Sequence, residues 1–135
     1  MSVEAAQESN ASFYRAFETL DLAAMERVWA HGEHVKCVHP GWPLLCGWDA
    51  VRASWEAIFR STAEIQFTLT DVRVSAHGDV AWITCTENIL SEAQDRISVT
   101  SVLATNVFER DGAEWRMIHH HASTFLPGRA PRPIQ

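Results

Sequence analysis

Apolar residues recur at helical intervals in the first third of the chain and at alternate positions after residue 63. Phe13, Ala16, Phe17 and Leu20 follow the i, i+3, i+4, i+7 spacing of one buried helix face. Asp21 interrupts that stripe and is placed to N-cap a second helix, whose apolar side is Leu22, Met25, Val28 and Trp29 and whose end falls near Gly32. A short strand from Val35 to His39 stops at Pro40, and Pro40-Gly-Trp-Pro43 forms a rigid loop. Gly47-Trp48-Asp49 opens a third helix carrying Val51, Trp55, Ile58 and Phe59. The switch to period two predicts strands at about 65–76, 80–90, 97–110 and 115–125. Turns at His77-Gly78-Asp79 and Asp111-Gly112 separate two pairs of them. Three helices followed by an antiparallel meander make an α+β domain with the helices on one face of the sheet.

The length of 135 residues fits a single domain spanning 1–135, with a loosely held tail over about 127–135. The formal charge of -6 comes from acidic and basic residues that are interspersed, so neither nucleic acid nor an anionic membrane is an expected partner. No apolar run approaches the roughly 20 residues of a membrane span, and the N-terminus does not read as a signal peptide. Three cysteines, Cys37, Cys46 and Cys85, lack zinc spacing and read as buried free thiols of a cytoplasmic protein.

The candidate chemistry concentrates in the last strand, Trp115-Arg-Met-Ile-His-His-His-Ala-Ser123. Strict alternation puts Trp115, Met117, His119, His121 and Ser123 on one face and Arg116, Ile118, His120 and Ala122 on the other. The first set, apolar at one end and imidazole at the other, reads as a pocket wall. A turn centred on Asp111-Gly112 pairs Phe108 with Trp115, Asn106 with Met117 and Ala104 with His119, which puts Asn106 on the His119 side. The opposite face, with Val99, Leu103 and Val107 beside Ile118, is too apolar for water, and a second copy of the chain is its simplest cover.

Three segments carry a family resemblance: "ETLDLAAMERVW", "CVHPGWPLLCGWDAVRASWEAIF" and "TNVFERDGAEWRMIHHHAS". From about Ala5 to Ser123 the chain resembles the nuclear transport factor 2-like, or SnoaL-like, superfamily. Its closing hairpin is similar to that of the calcium/calmodulin-dependent kinase II association domain. The resemblance implies a cone-shaped, barrel-like fold, with a curved sheet wrapped round the helices and a pocket opening at one end. That scaffold hosts isomerases, dehydratases, cyclases and non-catalytic assembly modules. In ketosteroid isomerases of this fold an aspartate before a proline at the end of the first strand is the general base, and His39 matches it here. In the kinase association domain two arginines line the pocket, and Thr84 and Asn106 stand at the matching positions.

His39 is either a base working near neutral pH or a histidine that fixes the loop at a strand end. His119 and His121, roughly 7 Å apart on an extended strand, form an acid–base pair or polarise a carbonyl together with Asn106; alternatively one is structural and the other lies near an interface. Three imidazoles suit zinc, but no carboxylate or Cys-x-x-Cys spacing supports a metal, and none is expected. Trp42, Trp55, Trp82, Thr84 and Met117 are candidate lining residues, and Tyr14 is placed to turn its hydroxyl inward. The leading expectation is a cofactor-independent pocket for a modest apolar ligand, binding it and transferring a proton or removing water next to a carbonyl. His39 is then the base, and His119 with Asn106 stabilises the oxyanion. The rival expectation is a non-catalytic association module with a remnant pocket.

Overall fold

The computed structural model describes residues 2–125, so the expected tail lies outside the described residues. Two helices, α1 (Ser2–Glu18) and α2 (Leu22–Val28), are followed by β1 (Lys36–Val38), β2 (Leu45–Cys46) and α3 (Trp48–Ser61). Four long strands complete the chain: β3 (Glu64–His77), β4 (Val80–Ala93), β5 (Arg96–Asp111) and β6 (Glu114–Thr124). The six strands form one sheet in the order β2-β1-β6-β5-β4-β3, antiparallel except where β1 runs parallel to β6. The three helices pack on its concave side.

Local chemistry explains the helical turn. Leu20 adopts a left-handed φ of 54°. Asp21 N then donates to Ala16 O at 3.1 Å and Leu20 N to Phe17 O at 3.1 Å, closing α1 with a Schellman motif. Asp21 immediately caps α2 by accepting from Ala24 N at 3.1 Å. The chain thus reverses within three residues and lays both helices against the sheet. Phe13 is the centre of the resulting core: Tyr14, Trp55 and His120 have ring centroids 4.8, 5.5 and 4.8 Å from it.

Three turns and bulges depart from the pattern read in the sequence. The β4–β5 strands extend to Ala93 and Arg96, because Gln94 and Asp95, both at positive φ, make a two-residue turn without glycine. In β3 the register shifts between Thr70 and Arg73, with Asp71 at φ 53°. This bulge bends the long strand.

The third departure moves the candidate chemistry. The β5–β6 turn is Gly112-Ala113, one half-step later than the expected Asp111-Gly112, so Asp111 pairs with Glu114 and Phe108 with Met117. A second register shift then follows, and Val107 pairs with His119 while Asn106 pairs with His120. Ile118 is the extra residue. Alternation restarts beyond it, so Trp115 and Met117 face inward, and so do His120 and Ala122. His119 and His121 consequently turn to the outer face, stacked 6.1 Å apart beside Lys36 and Val38 of β1. His121 is exposed and His119 half-buried.

β4 is likewise inverted relative to expectation. Ala81, Ile83, Cys85 and Glu87 are its buried residues, and Trp82 and Thr84 lie on the outer face opposite Val107 and Thr105. That outer face also exposes Leu90, Ile97, Val99 and Leu103. Val99, Leu103 and Val107 are on the outer side as expected, whereas Ile118 packs against the core.

The bulge can be checked by paired substitutions. His120→Ala removes a buried, hydrogen-bonded ring and should cost about 2–4 kcal/mol in urea unfolding. His121→Ala should stay within about 0.5 kcal/mol of wild type. The reverse ranking would mean that the alternation runs unbroken through Ile118.

Candidate functional site

The open end of the cone holds a cavity of about 360 Å³ between α1, α3 and the loop after β1 on one side and β3–β6 on the other. Its walls are mostly apolar, from Phe17, Ile58, Ile65, Ile89, Val102 and Ala122. Three titratable groups break that lining: His39, Glu87 and His120. Each is buried, and each sits in the cavity because of one backbone feature. His39 follows β1 immediately and is held where Pro40 ends the extended segment. Glu87 continues the inward row Ala81, Ile83 and Cys85. His120 is turned inward by the Ile118 bulge.

A hydrogen-bonded network lies directly beneath. The Tyr14 hydroxyl donates to Glu87 Oε2 at 2.5 Å. Asn106 Nδ2 donates to Asn10 Oδ1 at 2.8 Å and to the Tyr14 oxygen at 3.1 Å. Its Oδ1 accepts from His120 Nδ1 at 2.6 Å. Because an amide oxygen only accepts, the His120 proton resides on Nδ1, and Nε2 carries a lone pair. Both amide hydrogens of Asn106 are already committed, so it has none to offer a ligand. Asn106 is therefore a positioning residue for Tyr14 and His120 rather than an oxyanion donor.

His39 is oriented by a separate device. Ser54 Oγ donates to Val51 O at 2.6 Å and so accepts from His39 Nε2 at 2.9 Å. Nδ1 is left as the acceptor, with the buried Cys37 Sγ 3.9 Å from it. The ring is wedged edge-on between Trp42 and Trp55, with centroids at 4.9 and 4.7 Å, and its centroid lies 6.3 Å from that of His120.

Burial sets the protonation of all three groups. Desolvation pushes His39 down to about 4 and His120 well below the usual imidazole value, so both rings are neutral at physiological pH. A histidine near 4 has the basicity of an ordinary carboxylate without its charge. Glu87 moves the other way, up to about 7, with burial raising it and the Tyr14 hydrogen bond partly opposing that rise. Near neutral pH this carboxyl is both a proton donor and an acceptor, which is the tuning that general acid–base chemistry requires.

The sequence-predicted residues divide accordingly. His39 and Trp42 line the cavity; Tyr14, Trp55, Asn106 and Met117 lie buried around or below it. His119, His121, Trp82 and Thr84 belong to the outer face and have no part in it. Glu87, His120, Asn10 and Ser54 were not singled out from sequence. Glu87 had a signal: it is the one charged residue in the alternating row Ala81, Ile83, Cys85, Glu87, Ile89. Cys37 and Cys85 are buried, but Cys46 is exposed, contrary to expectation. Among the described residues no group of three or more His, Cys, Asp or Glu is arranged to hold a metal ion, and no helix is long and apolar enough to cross a membrane.

The SnoaL-like domain pattern matches residues 6–127. The chain belongs to the SnoaL-like family. A proposed dehydratase of the nuclear transport factor 2-like family from Streptomyces avermitilis is 42% identical, with TM-score 0.87 over 93% of this chain and 96% of its own. A proposed calcium/calmodulin-dependent protein kinase type II association domain from Thiobacillus denitrificans is 32% identical, with TM-score 0.80 over 89% of this chain and 94% of its own. The F-box protein SKIP8 of Arabidopsis thaliana is 32% identical over 117 residues, which are 87% of this chain. This chain spans about half the length of that plant relative, 48%. These similarities establish the cone fold expected from the sequence.

Two titrations check the electrostatics. The Glu87 carboxyl, followed by carbon NMR, should titrate near 7, and Tyr14→Phe should move it higher by removing the one bond that favours the ionised form. Stability against pH gives a second readout. Neutral buried His39 makes the protein more stable as pH rises from about 4 to 6.5. Protonated buried Glu87 makes it less stable as pH rises from 4.5 to about 7, so the two oppose one another. Glu87→Gln should expose the histidine contribution as a steeper rise, by up to about 1.4 kcal/mol per pH unit. An unchanged slope would show that Glu87 titrates normally.

Proposed function

We propose that the cavity binds a small, largely apolar ligand and transfers a proton, in isomerisation or dehydration, next to its carbonyl. The observation that carries this reading is the convergence of His39, Glu87 and His120 on an otherwise apolar cavity, with their protonation states pushed apart. His39 Nδ1 accepts the proton from the carbon beside the carbonyl. Glu87, half-protonated near pH 7, donates one to the carbonyl oxygen or to a departing hydroxyl. The apolar walls keep water away from the intermediate. No step in this scheme requires a cofactor. The similarity to the proposed dehydratase from Streptomyces favours this class of reaction over simple binding.

The outer face supports a second, compatible role as an assembly surface. Ile97 and Val99 are 74% and 84% exposed, and Leu103 beside them is 51% exposed, on an uncovered sheet. The similarity to the Thiobacillus association domain favours a second copy of this chain as the cover. A homodimer is expected in sedimentation velocity, and Val99→Asp combined with Leu103→Asp should give a folded monomer. A monomeric wild type would remove this role.

The ligand reading is tested by thermal shift against a panel of ketones and hydroxyketones. A ligand at a hundred times its Kd should stabilise by about 2.7 kcal/mol. That stabilisation should vanish in His39→Ala, each protein's shift being read against its own unliganded Tm. Equal stabilisation of both proteins would place the ligand elsewhere.

A further inference from the structure

The cavity is sorted by charge. None of its fourteen lining residues is an arginine or a lysine. A separate groove lined by α1, α2 and the start of β6 carries Arg15, Arg27 and Arg116 together with Glu8, Asp21 and Glu114. The imidazoles of His39 and His120 supply no compensating positive charge, being neutral through burial. An anionic ligand entering this space loses its hydration and meets no cation.

Glu87 is the one acidic side chain among the lining residues, and its hydrogen bonding is incomplete. A carboxylate has about four acceptor sites. Oε2 accepts from Tyr14, and among the described residues no side-chain hydrogen bond reaches Oε1. At the mouth, Trp42 is 40% exposed and its ring is 73° from that of His39. The exposed part of this indole is open to a cation.

We propose that Glu87 makes the cavity selective for an organic amine, whose ammonium pairs with the unpartnered carboxylate oxygen while its apolar body lies against Phe17, Ile89 and Trp42. The inference rests on the reading of this cavity as the ligand site and adds the charge class of the ligand. An ammonium holds Glu87 in its ionised form, so on a carbonyl-bearing amine His39 alone takes the proton from carbon and returns it. Glu87 is already desolvated in the folded protein, so a bound cation relieves a cost that a proton otherwise relieves. The titratable groups facing it are Tyr14 from α1, Cys85 on its own strand, and His39 and His120 across the cavity. None of them is a cation at neutral pH, so amine and proton compete for Glu87.

Three probes of matched shape test this by calorimetry at pH 8: phenethylamine, 2-phenylethanol and 3-phenylpropanoate. The amine should bind at least about tenfold more tightly than the alcohol, and the carboxylate should not bind. Glu87→Gln, which retains an acceptor for Tyr14, should bring amine and alcohol within about twofold of each other by weakening the amine alone. Below pH 7 the wild-type amine affinity should fall by about tenfold per unit, and the Gln variant should lose that dependence. Carboxylate binding as tight as the amine's, or a preference that survives Glu87→Gln, overturns the proposal. Alcohol binding equal to amine binding overturns charge selection alone and leaves the cavity as the ligand site. Failure of all three probes to bind overturns both.

Discussion

One inserted residue decides which histidine this protein presents to its interior. A β-strand has a strict two-residue repeat, so a single extra residue exchanges its faces from that point on. Ile118 is that residue in β6. N-terminal to it, Trp115 and Met117 complete the core beneath α1 and α2. C-terminal to it, His120 enters the cone and meets Asn106, while His119 and His121 go out beside Lys36. The inner network depends on this change of phase. Without it the pairing of Phe108 with Met117 would carry His119 opposite Asn106 and turn His120 to the outer face.

The network in turn sets the chemistry of the cavity. Asn106 spends both amide hydrogens on Asn10 and Tyr14 and its oxygen on His120. Every position around it is thereby specified, since a buried amide left partly unsatisfied costs about as much as the hydrogen bond it forgoes. Tyr14 can then donate to Glu87, and His120 keeps its proton on Nδ1. A separate pair of hydrogen bonds through Ser54 fixes His39 in the opposite tautomer. Two imidazoles and a carboxyl thus reach the same apolar space from a loop and two strands that are far apart in the chain.

Burial is the common cause of their altered acidities. The same desolvation that weakens the histidines as bases strengthens the carboxyl's hold on its proton. A site built this way disfavours charge on its own groups. The outer face follows a different principle. There the side chains are valine, leucine, isoleucine and tryptophan facing solvent, with no interior element left to cover them. The two faces of one sheet therefore differ in kind, titratable groups in an apolar cavity inside and exposed apolar side chains outside.

The helices, the order of the strands and the family were legible in the chain itself. Helical spacing over Phe13 to Leu20, the cap at Asp21, and the alternation after residue 63 are local patterns, and local patterns survive in sequence. His39 was legible for the same reason, because Pro40 fixes the end of its strand. The faces of β4 and β6 were not. Nothing adjacent to Ile118 announces a bulge, and a turn that shifts from Asp111-Gly112 to Gly112-Ala113 moves every cross-strand partner. Glu87 and His120 became site residues only when packing against α1 chose the inward face. Sequence determined which elements form; the tertiary structure decided which way their side chains point, because parity along a strand is settled by the partner across it.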